Sequence, residues 1–277
     1  LATGVETRRE EFEFGGVQVL DGVPLNYTTI YQAPFDETSD LPKVRRDVNA
    51  VYAEMYLPII DTLDVTVAVR HDRYDTFGGT TNPKYSFKWQ PIDSLAFRGA
   101  YSTGFKVPEF TKLFSPASDN DYTGFDLADP ARCAGGVANP SVPGCESIKP
   151  QMRTGGKSDL RPEESKQKSL GLVYAPFQNF NMSLDWWEIE RINTIRVPDL
   201  NMLKANYALF SDNFIRDSSG QIVVIDRRFV NSGGTLMNGI ELDANLMGEL
   251  WDGRWRINLN GSYLDNFQEK ILEGRPY

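Results

Sequence analysis

The chain has 277 residues, 24% charged and 12% aromatic, with a formal net charge of −9 and a mean hydropathy of −0.40. No run of about 18 apolar residues occurs, which excludes a membrane-spanning helix, and the acidic balance argues against nucleic acid as a partner. A membrane strand needs only about 9–11 residues and turns half its side chains to a wet lumen, so the hydrophilic average leaves a β-barrel open.

The opening stretch, LATGVETRREEFEFGG, lacks the basic start and apolar core of a signal peptide. It reads as the start of a processed chain or of an internal portion of a longer one. Nine strands are predicted, beginning with 3–13, 47–57 and 63–73. In the third, Leu63, Val65, Val67 and Val69 alternate with Asp64, Thr66, Ala68 and Arg70. Period-two alternation places the two sets on opposite faces of a strand. Strands 83–90 and 94–103 follow. Pro83, Tyr85, Phe87 and Trp89 alternate with Lys84, Ser86, Lys88 and Gln90; Leu95, Phe97, Gly99 and Tyr101 alternate with Ala96, Arg98, Ala100 and Ser102.

A long polar stretch comes next. It holds both cysteines, Cys133 and Cys145, within ARCAGGVANPSVPGCES. Two cysteines in one Gly/Pro loop, with no others in the chain, point to a disulfide and an oxidising compartment; free thiols are the alternative. A zinc site would need more ligands, and the single histidine, His71, is far away in sequence. Strands 166–175, 180–193, 236–247 and 254–266 complete the set. Phe180, Met182, Leu184 and Trp186 oppose Asn181, Ser183, Asp185 and Trp187. Trp255, Ile257, Leu259 and Tyr263 oppose Arg256, Asn258, Asn260 and Ser262.

Short turns are predicted at 58–62, 91–93, 176–179 and 248–253, and long links at 14–46, 74–82, 104–165 and 194–235. Short and long alternate throughout. Transmembrane barrels do this because their periplasmic turns are short and their extracellular loops long. A soluble sandwich has no reason to place every long link at one end. Asp64, Arg70, Lys84, Lys88, Arg98, Asp185, Glu241, Asp243 and Arg256 share the polar face. In a barrel they line the lumen or a plug within it; in a sandwich they meet bulk water. Trp89, Tyr101, Tyr174, Trp186 and Tyr263 lie near strand ends, where a barrel carries aromatic girdles and a sandwich its core.

Few residues suggest reaction chemistry. His71 stands in AVRHDRYD at a strand end, as a surface histidine does, and no HExxH, P-loop or GxSxG motif occurs. Glu163 and Glu164 are adjacent and point apart on a strand. Asp119, Asp121, Thr123 and Gly124 fit the opening of a calcium loop, but Pro130 stands where the bidentate Glu belongs, so a polar mobile loop is expected instead. Residues 231–234 supply turn geometry without a phosphate-loop context.

The run RGAYSTGFKVPEFTKLF (98–114) closely resembles the strand-and-loop signature of TonB-dependent outer-membrane receptors, R-x-x-Y-S-x-G-F-[RK]-x-P-x-[FL]-x-x-L. LRPEESKQKSLGLVYAP (160–176) resembles the family's returning strand, with Ser169 and Leu170 where an acidic residue and Leu are common. NMSLDWWEIERINTI (181–195), NSGGTLMNGIELDAN (231–245) and GVETRREEFEF (4–14) resemble further strands of the same barrel. The resemblance implies an all-β antiparallel transmembrane barrel, of which residues 1–277 are an incomplete segment of about nine strands with long extracellular loops. The family's barrel has 22 strands, preceded by a plug domain and, in many members, a segment that pairs with TonB; neither is visible here. It also implies the outer membrane of a Gram-negative bacterium, the lipid bilayer and TonB as partners, and active uptake of a siderophore, haem, cobalamin or oligosaccharide. An enzyme, a cofactor and a metal site are not expected, and no ligand-contacting residue is assigned. A passive porin and a soluble carbohydrate-binding β-sandwich are the alternative functions.

Overall fold

The computed structural model of the chain describes residues 1–14, 19–20, 23–24 and 41–271. In chain order the strands are β1 (Ala2–Phe14), β2 (Val19–Leu20), β3 (Val23–Pro24), β4 (Leu41–Ile60), β5 (Leu63–Tyr74), β6 (Gly78–Ile92), β7 (Leu95–Lys106), β8 (Ser118–Asp121), β9 (Gln151–Thr154), β10 (Glu163–Phe177), β11 (Phe180–Arg196), β12 (Phe214–Arg216), β13 (Ile222–Asp226), β14 (Val230–Leu250) and β15 (Gly253–Lys270). Two short helices, α1 (Phe110–Phe114) and α2 (Leu200–Ala205), lie in the connections. All nine predicted strands form. They join one open sheet in the order β1-β4-β5-β6-β7-β10-β11-β14-β15, with each neighbouring pair antiparallel. This is an incomplete β-barrel wall.

Register explains the two faces. Leu57, Val65, Phe87, Gly99, Leu170, Trp186, Ile240 and Tyr263 stand directly opposite one another across eight successive strands. The adjacent row, one residue along, reads Asp64, Lys88, Arg98, Gly171, Asp185, Glu241 and Ser262. A one-residue step therefore changes an apolar surface into a charged one, as the pleat requires. The charged residues predicted to share a face do so. Arg98 reaches Asp185 with two hydrogen bonds of 2.9 and 2.7 Å, across the strand that separates them. Gly171 lies between the two, and a Cβ there would collide with the Asp185 carboxylate.

The apolar face is bare. Leu170 is 54% exposed, Ile257 60% and Tyr263 64%. A soluble protein does not leave so wide an apolar surface uncovered, and a second sheet would cover it in a sandwich. The buried apolar side chains concentrate in the connections instead.

Four hairpins close through two residues each: 61–62, 93–94, 178–179 and 251–252. Pro58, Pro91 and Pro176, read as turn residues, sit just before three of these turns, where the register slips. Proline has no N–H to give to a ladder, so it is tolerated where a bulge interrupts one. The link predicted at 74–82 is a correction. Only residues 75–77 connect β5 to β6, because the polar Gly-Gly-Thr-Thr-Asn run pairs with β5 in register, Thr81 opposite His71. Gly78 takes φ +78°, which lets the chain reverse at once. Of the 14–46 link, β2 and β3 pair with each other; the remainder up to β4 lies outside the described residues.

Candidate functional site: the joined loops above the barrel wall

The connections 107–162 and 197–229 leave the same end of the sheet and fold together. Their strands form a second sheet in the order β12-β13-β9-β8, in which β9 of one connection pairs in parallel with β13 of the other. On one side of it Leu127 and Met152 from the first connection pack with Leu203, Phe210, Phe214, Ile222 and Ile225 from the second. Leu127, Leu203 and Ile225 are wholly buried. Asp199 caps α2, its carboxylate accepting from the Asn201 and Met202 amides, and this aims Leu203 into the core. The expectation of a polar, mobile loop at 118–129 is thus corrected. Residues 118–121 are a strand, and both Asp119 oxygens accept from Arg153 at 2.8 Å. Among the described residues no group of three or more acidic, His or Cys side chains could hold a metal ion.

An ion pair ties the two connections together. The Arg216 guanidinium donates to both Asp129 oxygens, at 2.6 and 2.7 Å, and Asp129 also accepts from the Ala131 amide. Asp129 is 6% exposed. The Arg216 hydrogen bonds, helped by the Ala131 amide, hold its carboxyl below the usual carboxylate range in spite of burial. Such a group contributes stability above its unfolded value, about 3.9, and the contribution disappears as pH falls through the lower folded value. Lowering the pH from 7 to well below the unfolded carboxylate value should therefore loosen 197–229 from 107–162. The check is amide exchange in β9 and β13 as a function of pH. The acid-induced change should be smaller in Asp129→Asn, which has no charge to lose.

Cys133 and Cys145 are bonded to each other, beside buried Ala128. Alkylation of protein purified without reductant should leave both unmodified, and reductant should expose two thiols by mass. Modification of both without reductant would contradict the bond.

The lumen side of the rim carries a second anchor. Arg46, 6% exposed, pairs with Glu10, donates to the Pro108 carbonyl at 3.0 Å and lies 4.7 Å from the Phe110 ring centroid. Phe110 in turn stacks on Phe12 of β1. The connection that begins after β7 is thus fastened to β1 and β4 before it rises into the loop sheet. Arg46, Asp129 and Arg216 are the residues that sequence reasoning missed. Asp129 and Arg216 are 87 positions apart, and no local pattern links them.

The residues first weighed for chemistry have structural places. His71 lies on the apolar face, its Nδ1 sharing a 2.8 Å hydrogen bond with the Thr81 hydroxyl. Glu163 accepts from the Ile195 amide at 2.6 Å and so joins β10 to β11. Two hollows stand out among the described residues. One, of about 470 Å³, lies between Tyr74, Phe77, Phe105 and segment 158–162. The other, of about 430 Å³, is lined by Arg98, Asp185, Glu241, Asp243 and Asn260. Fixed charges, amides and aromatic faces of this kind suit recognition of a polar solute by contact.

The family model "TonB dependent receptor-like, beta-barrel" matches residues 4–276. No curated protein matches the chain by sequence. Among solved structures, the ferric enterobactin receptor PfeA of Pseudomonas aeruginosa in complex with enterobactin is 15% identical, with a TM-score of 0.62 over 95% of this chain and 33% of that one. The siderophore receptor PirA of Acinetobacter baumannii is 17% identical, with a TM-score of 0.58 over 95% of this chain and 33% of that one. PirA of Pseudomonas aeruginosa is 17% identical, with a TM-score of 0.51 over 83% and 36%. At these identities the likeness is one of fold, and the chain spans about a third of the length of these receptors. The match over almost the whole chain, on a wall of antiparallel strands with one apolar and one charged face, assigns this chain to the β-barrel of the TonB-dependent receptor family.

Proposed function

We propose that the chain is part of the barrel domain of an outer-membrane active transporter that takes up a scarce nutrient. Residues 1–277 belong to one domain, with further strands satisfying the free edges of β1 and β15, since unpaired backbone in lipid is costly. TonB acts through a region outside this chain, and a plug occupies the lumen against the charged row. The ligand is a siderophore, haem, cobalamin or oligosaccharide. Similarity in fold to siderophore receptors makes a ferric siderophore the first to try. The observation that carries the reading is the bare apolar face backed by the charged one, with both folded connections at one end. The chain does no covalent chemistry in this account.

Two measurements on the full-length protein test it. Epitope tags at 140–143 and 217–220 should be labelled from outside intact cells, and tags at 91–93 and 176–179 should not. Labelling at 91–93 would overturn the topology. Uptake of labelled ferric siderophore should cease when TonB is deleted or the proton gradient is collapsed. Uptake that continues in both cases would support the passive porin instead.

A further inference from the structure

Above the charged row the inner wall changes character. On β11 the lumen side continues upward from Asp185 as Trp187, Ile189 and Arg191. Trp187 stands opposite Ser169 and Gly239, Ile189 opposite Gln167 and Met237, and Arg191 opposite Ser165 and Thr235. The charges of the same strands turn outward instead, where Lys168 pairs with Glu188 and Lys166 with Glu190. This is the reverse of the arrangement lower in the wall. It falls on β10 and β11, each of which is paired on both sides within the sheet.

A third hollow, of about 420 Å³, lies between β7, β10 and β11, lined by Gly104, Lys106, Ser165, Gln167, Ile189 and Arg191. Below it the Trp187 ring lies over Gly239, where a Cβ would come within 2.9 Å of the indole. Most charges around the hollow are already engaged. Glu163 accepts from the Ile195 amide, Lys106 pairs with Glu109, and Glu164 belongs to the outward row of β10. Arg191 is exposed and has no ion pair or side-chain hydrogen bond among the described residues. The Trp187 indole N–H and the Thr235 hydroxyl are buried without a partner, and such groups call for one from outside the chain.

We propose that this hollow is a wall-side subsite for an aryl anion, one arm of the transported ligand, with Arg191 selecting its charge. The subsite rests on the transporter reading above and narrows its ligand class. A guanidinium fork matches two neighbouring anionic oxygens, as on a carboxylate or a catecholate. Trp187, Ile189 and Met237 give the attached ring an apolar shelf, and both indole and thioether favour aromatic partners. The volume admits a ring with its substituents rather than a whole large solute. A lumen wall that only had to stay wet would place no such shelf here. The plug is read against the charged row, and Arg191 stands about 15 Å above that row at the usual strand rise and tilt. That height is just under the connection 197–229, where a solute from outside arrives first.

The experiment uses full-length protein in detergent, labelled with 5-fluorotryptophan. Two iron(III) chelates are the probes: one with three catecholate arms, anionic and aromatic, and one with three hydroxamate arms, neutral and without rings. The resonance lost in Trp187→Phe identifies the site by fluorine NMR. The catecholate chelate should broaden it through its paramagnetic iron, and the same chelate of diamagnetic gallium(III) should not. By calorimetry, Arg191→Gln should weaken the catecholate chelate about 30-fold, the usual worth of a charge-assisted hydrogen bond, and leave the hydroxamate chelate unchanged. Arg191→Lys should keep part of the affinity. No binding of the catecholate chelate, a Trp187 signal that stays sharp when it binds, or equal affinity in Arg191→Gln each overturns the subsite. The fluorine signal is read with Arg191 in place, so it decides even if that variant fails to assemble. Uptake that needs TonB while the Trp187 signal stays sharp removes the subsite and leaves the transporter. Uptake that ignores TonB overturns both.

Discussion

Arginine in place of Val67 should cost the assembled barrel about 2–4 kcal/mol, while arginine in place of Thr66 beside it should cost little. Val67 stands opposite Met55 and Tyr85 on the apolar face, and Thr66 opposite Tyr56 and Ser86 on the polar one. Val67 is four residues above the 61–62 turn. That is about 14 Å along the strand and about 10 Å in height at a tilt of about 40°. The site is therefore near the middle of an apolar band about 25 Å tall, where an unpaired guanidinium finds no water. The measurement is the unfolding free energy of the full-length protein in vesicles, or the assembled fraction in cells. A soluble sandwich would also suffer at Val67, so a second observable is needed. A nitroxide at Leu259, which is 57% exposed on the apolar face, should be more accessible to oxygen than to a water-soluble nickel complex. Equal inaccessibility to both would mean that Leu259 is packed in a protein core.

Truncating Ile225 to Ala should destabilise the loop unit by about 2–5 kcal/mol, the usual cost of emptying a fully buried aliphatic site. Ile225 is 0% exposed, stands opposite Met152 across the parallel β9–β13 pair and packs in the core that both connections share. The two connections should therefore loosen together. Hydrogen exchange is the measurement, and about 2 kcal/mol corresponds to a loss of protection of roughly 30-fold. Faster exchange in both β9 and β13, with β10 and β11 unchanged, is the expected pattern. Loss confined to 197–229 would show that the connections do not depend on one another.

The barrel wall was legible because its strands are long and have one uniform face each. Leu63 to Arg70 alternates without a break, and such a pattern survives errors at the ends. The ends themselves were read short: β4 begins at Leu41 and β14 at Val230, several residues before the predicted starts. Strands of 20 and 21 residues extend well past the bilayer, and there both faces meet water, so the alternation fades. The loop unit was illegible for a different reason. Strands of three to five residues, such as β12 and β13, are too short to show a period. Their partners come from another connection, and pairing at that distance leaves no local trace. The cysteines were the exception, since two thiols twelve positions apart in a Gly/Pro segment limit each other's choices.

The parallel pairing of β9 with β13 also bears on how such a protein changes over generations. Surface loops ordinarily accept insertions and substitutions one at a time. Here an insertion in 107–162 that slipped β9 by one residue would turn Met152 out of the core and leave Ile225 facing a gap. Loss of Asp129 would leave Arg216 without its counter-charge. The two connections therefore form a single unit of variation. A change in one is tolerated when the other changes with it, or when it falls outside the shared sheet. Moving this loop unit between relatives of this architecture would accordingly require transplanting both connections as a matched pair.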